Sequence, residues 1–108
     1  MPSQERIERI VREYRQGLSE LLGDGLEAVV LYGSRARKDA GEGSDIDLLC
    51  VMREPFDYGD LLMKTSELTA ALSLAHDVVI SRAFATREDY ESKRTPFMMN
   101  VRAEGVPV

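Results

Sequence analysis

Asp45 and Asp47 are the two residues whose types and spacing point most directly to chemistry. They stand one residue apart at the start of an apolar segment, residues 45–52, that is predicted to be a β-strand. Successive side chains on a strand point to opposite faces, so the two carboxylates share a face, with Cα atoms roughly 6.5 Å apart. At 4 Å and an effective dielectric of about 20, two such charges repel each other by about 4 kcal/mol. A hard cation such as Mg²⁺ would relieve that repulsion, because carboxylate oxygens suit it as ligands.

Gly33 and Ser34 precede this pair by about ten residues and directly follow a second apolar segment, residues 26–32. Backbone N–H groups at such a turn, together with a hydroxyl, suit a phosphate. A nucleotide with magnesium is therefore the first hypothesis. The alternatives are an exposed strand edge for the aspartates and a helix cap for Ser34. Aspartate is disfavoured in strands, which weighs against the first alternative, whereas the cap is compatible with phosphate binding.

The composition limits the classes of protein to which the chain can belong. Its 108 residues, with 44% hydrophobic and 31% charged residues, predict one globular domain spanning residues 1–108. The longest apolar runs, 28–32 and 46–52, are far shorter than the ~20 residues that cross a bilayer. No apolar signal region follows the first residue, so we expect a cytoplasmic protein. Cys50 is the only cysteine, which excludes an internal disulfide and a cysteine-based zinc site.

The formal net charge of −5 bears on the binding partner. Proteins that hold a long polynucleotide normally present a basic surface, because contacts to phosphates supply most of the affinity. The acidic balance favours a small nucleotide or a protein partner over nucleic acid.

The pattern of apolar residues predicts a small α/β (α+β) fold, with a short mixed sheet and flanking helices. A helix over residues 3–22 has apolar positions at spacings of three and four and ends at a glycine turn. The further predicted elements are strand 26–32, a short helical turn from Ser34, strand 45–52, helix 60–75, strand 76–81, and helical segments at 86–90 and 97–102.

Asp77 is a candidate third carboxylate. If residues 76–81 form a strand, alternation places Asp77, Val79 and Ser81 on one face. Three carboxylates around one or two metal ions are what two-metal phosphoryl transfer needs. The alternative is an aspartate at the start of a strand with no chemical role, which is a common arrangement.

The combined pattern resembles the polymerase β-type nucleotidyltransferases. Its parts are Gly33-Ser34, then Ser44-Asp45-Ile46-Asp47-Leu48, then Asp77. The short length and the run GSRAR before SDIDLL are most similar to the minimal nucleotidyltransferase domains, whose best-known members are the MntA-type antitoxins. The resemblance covers essentially the whole chain and implies the polymerase β-like nucleotidyltransferase fold.

The resemblance also implies roles at the matching positions. Gly33 and Ser34 would bind the β and γ phosphates of ATP, and Asp45 and Asp47 would ligate two Mg²⁺ ions. Asp77 would complete the metal site beside the nucleophile. The further nucleotide-binding residues implied in this way are Arg35, Arg37 and Ser44.

The resemblance implies an acceptor as well, since MntA-type antitoxins transfer AMP from ATP to a tyrosine of a cognate HEPN ribonuclease toxin. Two alternatives remain open. The chain could neutralise its partner by binding alone, with a vestigial nucleotide site. It could also modify a small hydroxylated molecule such as an aminoglycoside, although such enzymes usually carry an extra helical domain for that acceptor.

Overall fold

A computed structural model describes residues 4–37 and 45–108. Five α-helices and four strands lie in these two ranges, and a single 3₁₀ turn (Gly23–Gly25) joins the first helix to the first strand. In chain order the elements are α1 (Gln4–Leu22), β1 (Leu26–Tyr32), α2 (Gly33–Arg37), β2 (Ile46–Met52), α3 (Tyr58–His76), β3 (Ile80–Thr86), α4 (Arg87–Ser92), α5 (Pro96–Glu104) and β4 (Val106–Pro107).

The strands form one mixed sheet in the order β3-β2-β1-β4. β1 is antiparallel to both β2 and β4, whereas β3 is parallel to β2, so the connection through α3 has to cross from one end of the sheet to the other. β1 therefore ends at the same edge at which β2 and β3 begin. There the register pairs Tyr32 with Asp47 and Asp47 with Ser81. The mixed sheet with flanking helices that the sequence predicts is confirmed.

Helices cover both faces of this sheet. α1 buries one apolar stripe, and with α3 it packs against Leu48 and Cys50 of β2. Met98 and Val101 of α5 pack on the other face, against Leu49 and its neighbours. Both faces of β2 are thus buried beyond Asp47, which explains why residues 48–52 are a continuous apolar run without polar alternation.

The predicted third strand at 76–81 is wrong in its bounds. α3 continues through His76, and Asp77 ends it in the left-handed conformation (φ 52°, ψ 52°), with its N–H donating to the carbonyl of Ser73. Aspartate tolerates this conformation better than most residues, which gives Asp77 a local structural role. The β-branched residues Val78 and Val79 make the predicted strand begin too early. The charged residue Arg82 makes it end too early, because the observed strand is Ile80–Thr86.

The remaining predicted elements agree with the structure to within a few residues. The structure places α1, β1, β2 and α3 where the apolar pattern does, and α4 and α5 correspond to the two C-terminal helical segments. β4 is missing from the predictions because a two-residue strand is too short to show a pattern. Within residues 4–37 and 45–108, no helix is both long and apolar enough to cross a membrane.

Candidate active site

The edge where β1 ends and β2 and β3 begin gathers the polar groups of interest. Gly33 follows the last residue of β1, Asp45 and Asp47 flank the first residue of β2, and Ser81 is the second residue of β3. Alternation along the paired strands puts Tyr32, Asp47 and Ser81 on the face that α5 covers, and Asp45 shares the face of Asp47. These residues form the candidate active site.

Gly33 fits against the carboxylate of Asp47. Its φ of +74° is one that residues with a side chain rarely adopt. A Cβ placed there would lie 2.5 Å from Oδ2 of Asp47, well inside van der Waals contact. The positive φ favours glycine at this position, and any side chain there would also displace the Asp47 carboxylate.

The Asp47 carboxylate lies in an unfavourable electrostatic environment. Partial burial, and secondarily the charge of Asp45, raises the pKa of Asp47 above its ordinary value of 3.8. Burial, followed by the proximity of Asp47, also raises the pKa of Tyr32 to about 12, so this phenol stays neutral. Both shifts have the same two main causes, partial burial and a neighbouring carboxylate, and both make negative charge costly here.

Asp45 has a hydrogen-bond donor on the neighbouring strand. The hydroxyl of Ser81 donates to Oδ2 of Asp45 over 3.1 Å. A carboxylate offers about four lone-pair sites on its two oxygens. The hydrogen bond from Ser81 occupies one of these sites, so the other oxygen of Asp45 remains available as a ligand.

Two carboxylates on one face fit a magnesium ion. Mg²⁺ is usually held by one or two carboxylates together with the phosphates of its substrate, so a third protein ligand is not required. The structure brings Asp45 and Asp47 together but does not bring Asp77 to them. Among the residues that the structure describes, no three acidic, histidine or cysteine side chains form a metal-binding group. The expected three-carboxylate cluster is therefore corrected, because Asp77 ends α3 instead of lying on β3.

The other predicted nucleotide-binding residues have different surroundings. Ser34 is half-buried beside Gly33, whereas Arg35 is only 6% exposed and lies within the protein. Arg37 is exposed and forms an ion pair with Glu104 of α5 at 2.9 Å. Ser44 lies outside the described residues.

Sequence reasoning missed two components of this site. The predicted strand 76–81 puts Ser81 on the correct face, but its early start does not predict the contact of Ser81 with Asp45. For Tyr32, the apolar pattern predicts only the end of a strand. Its ring packs edge-on against Phe97 at 5.4 Å, beside a cavity of about 200 Å³ between α2 and α5. The signal for Tyr32 was its position just before Gly33, opposite the aspartate pair.

The nucleotidyltransferase domain family matches residues 11–99 of this chain. The chain belongs to the nucleotidyltransferase family. The match includes the glycine-serine turn and both aspartates, so the resemblance predicted from these motifs is confirmed. The family makes the chain an enzyme that transfers a nucleotidyl group.

Similar proteins agree with this assignment. A Methanocaldococcus jannaschii protein with the provisional name protein adenylyltransferase MJ0141 is 31% identical over 102 residues, covering 94% of this chain and 98% of that protein. The crystal structure of a Sulfolobus solfataricus nucleotidyltransferase shares the fold with a TM-score of 0.69 and 21% identity, over 96% of this chain and 80% of that one. A toxin-antitoxin structure with AMP-PNP has a TM-score of 0.64 and 20% identity, and the match covers 93% of this chain and 70% of that one.

Replacing Gly33 by Ala should impair the site itself, whereas Gly23→Ala should not. Gly23 also has a positive φ (+58°), but a Cβ there meets no atom within 4 Å. Both variants should lose about 1–2 kcal/mol of unfolding free energy from the strained backbone. Gly33→Ala should lose about 0.5–1.5 kcal/mol more, because the Asp47 carboxylate must rotate away from the added Cβ. Urea unfolding measures this, and titration with Mg²⁺ and AMP-PNP should show weakened binding in Gly33→Ala alone. Equal behaviour of the two variants would contradict the contact.

Replacing Asp77 by Asn should leave both folding and cation binding intact. Asparagine also adopts the left-handed conformation, so the unfolding free energy should change by less than about 0.5 kcal/mol. Asp77→Ala should cost about 1–2 kcal/mol, because alanine is strained in that conformation. Mn²⁺ binding, followed by electron paramagnetic resonance, should be the same in both variants as in the wild type. A stable Asp77→Asn variant that fails to bind Mn²⁺ would show that Asp77 is needed for metal binding.

The raised pKa of Asp47 predicts a pH-dependent stability. The folded state holds this proton more tightly than the unfolded state, so stability falls as the pH rises from about 3.8 through the folded pKa. Asp47→Asn removes the ionisable carboxyl group, so its stability should not fall with rising pH for this reason. In buffer with EDTA, its melting temperature should exceed that of the wild type at pH 7, and the difference should vanish near pH 3. A variant that melts lower at pH 7 would show that the carboxylate stabilises the fold.

Proposed function

We propose that this chain is the antitoxin of a HEPN/MNT toxin–antitoxin pair. In this proposal it acts in the cytoplasm as a magnesium-dependent nucleotidyltransferase and transfers AMP from ATP to a tyrosine of its cognate HEPN ribonuclease toxin. The observation that carries the catalytic part is the placement of Gly33 against Asp47, with Asp45 on the same face. Glycine at the turn leaves the carboxylate open toward a substrate.

The site supports a nucleotide with its metal ion. Asp45 and Asp47 would hold Mg²⁺, which supplies charge neutralisation for the triphosphate when bound. Gly33 and Ser34 would bind the phosphates through backbone N–H groups and the hydroxyl. AMP-PNP in a structure with the same fold supports ATP as the donor. The raised pKa of Asp47 also supports a cation at this position.

The proposed reaction is an in-line displacement at the α-phosphorus of ATP. The tyrosine hydroxyl gives up its proton to solvent water, and its oxygen forms a new bond to this phosphorus. The bond from the phosphorus to the bridging oxygen of the β-phosphate breaks, and pyrophosphate leaves. The chain's task is to hold the reactants in line, since positioning and electrostatic stabilisation account for most of the catalysis in phosphoryl transfer.

Several observations support a protein as the acceptor. The M. jannaschii relative is named as a protein adenylyltransferase, and three of the structures that share the fold are toxin-antitoxin structures. The net charge of −5 does not favour nucleic acid. Exposed apolar side chains, among them Met63, Leu74 and Met99, offer contacts to a protein surface.

The experiment that tests this proposal is incubation with ATP, Mg²⁺ and the product of the neighbouring gene, followed by intact-mass measurement of both proteins. We expect adenylyl increments on the neighbour, at a tyrosine located by fragmentation. Asp47→Asn should abolish the increments. Asp24→Asn, a matched change of an exposed aspartate at the far end of β1, should retain them.

Other outcomes distinguish the alternatives. Tight association without an increment, and equal neutralisation by Asp47→Asn, would overturn catalysis in favour of neutralisation by binding. Increments on an added aminoglycoside, with none on the neighbour, would overturn the protein acceptor. Increments that persist in Asp47→Asn would overturn the assignment of the site.

A further inference from the structure

Ser81 lies beside the aspartate pair without being part of the recognised motif. β3 is parallel to β2, and the register pairs Ser81 with Asp47. Alternation points Ser81 to the face of the sheet on which Asp45 and Asp47 lie. The neighbouring strand thus places a neutral hydroxyl beside the aspartate pair, whereas the predicted third carboxylate, Asp77, ends α3.

The hydroxyl of Ser81 contacts only one of the two aspartates. It donates to Oδ2 of Asp45 over 3.1 Å, which is long for an O–H donor but within hydrogen-bond range. Asp45 is exposed and precedes the first residue of β2, so the ladder of β2 begins only after it. Without a partner, an exposed aspartate at a strand start samples several χ1 rotamers. The bond from Ser81 selects one of them.

We propose that Ser81 is a positioning residue, whose hydroxyl orients the carboxylate of Asp45 for cation binding. The inference rests on the proposed function, in which Asp45 and Asp47 hold a divalent ion. Carboxylates that ligate metals are commonly held by such outer hydrogen bonds, and loss of one typically costs 10–100-fold in metal affinity. A hydroxyl provides this hydrogen bond without adding a third negative charge to a site where burial and Asp45 already raise the pKa of Asp47.

The test compares Ser81→Ala with Ser81→Thr. Threonine keeps the donor and suits a strand, so it should restore what alanine loses. The matched control is Ser66→Ala, which removes another serine hydroxyl, exposed on α3 and bonded to the carbonyl of Met63. Mn²⁺ binding, measured by electron paramagnetic resonance without nucleotide, should be about tenfold weaker in Ser81→Ala. Binding in Ser81→Thr should be within about twofold of the wild type, as in Ser66→Ala.

A second measurement does not depend on metal. Three-bond NMR couplings report the χ1 rotamer populations of Asp45 in the apoprotein. We expect one dominant rotamer in the wild type and in Ser81→Thr, and averaged couplings in Ser81→Ala. Melting temperatures of all three variants show whether each one is folded.

The results separate this inference from the proposed function. A wild type that binds no Mn²⁺ would overturn the metal site of the proposed function, while the couplings still decide whether Ser81 orients Asp45. Averaged couplings in the wild type would overturn the inference even if Mn²⁺ binds. Equal weakening of Mn²⁺ binding in the alanine and threonine variants would overturn it as well, because packing and not the donor would then be responsible.

Discussion

The close approach of the Gly33 backbone to the Asp47 carboxylate is the constraint on which the rest of the site depends. It requires a residue without Cβ at a positive φ, and a strand pairing that puts Tyr32 opposite Asp47. The turn after β1 and the start of β2 are thereby fixed against each other. A phosphate at the turn and a cation at the carboxylate would then be neighbours by construction, without any adjustment of the backbone.

The sheet makes this edge rigid at some cost in stability. Helices cover both faces of β2, so the strand that carries Asp47 is held from two sides. At the edge of the sheet the Asp47 carboxylate is partly buried and lies near Asp45, and its pKa rises. A site that holds negative charge in a poorly solvated place is less stable when empty than when a cation fills it, which is a common property of catalytic sites. Folding and function therefore make opposite demands on this residue.

The sequence predicted the parts of this fold that local patterns determine. Periodic apolar residues specified α1, the run of β2 specified a buried strand, and the aspartate spacing specified a shared face. The error at Asp77 has a physical cause, since β-branched Val78 and Val79 indicate a strand locally, whereas packing extends α3 to His76. The partnership of Ser81 with Asp45 depends on the pairing of two strands that are far apart in the chain. No local pattern contains that register, so it emerged only from the structure.

The left-handed turn at Asp77 has a consequence for how this chain can vary. After Asp77, only two residues, Val78 and Val79, precede the first residue of β3, and they act as a spacer of fixed length. Because a strand alternates its faces with every residue, one inserted residue would present an isoleucine to the aspartates, and one deleted residue an arginine. The exposed side chain of Val79 is free to change during evolution, whereas Val78 packs against the core and the length of the spacer is fixed. Homologous chains that keep the serine should therefore show substitutions in this link and no gaps.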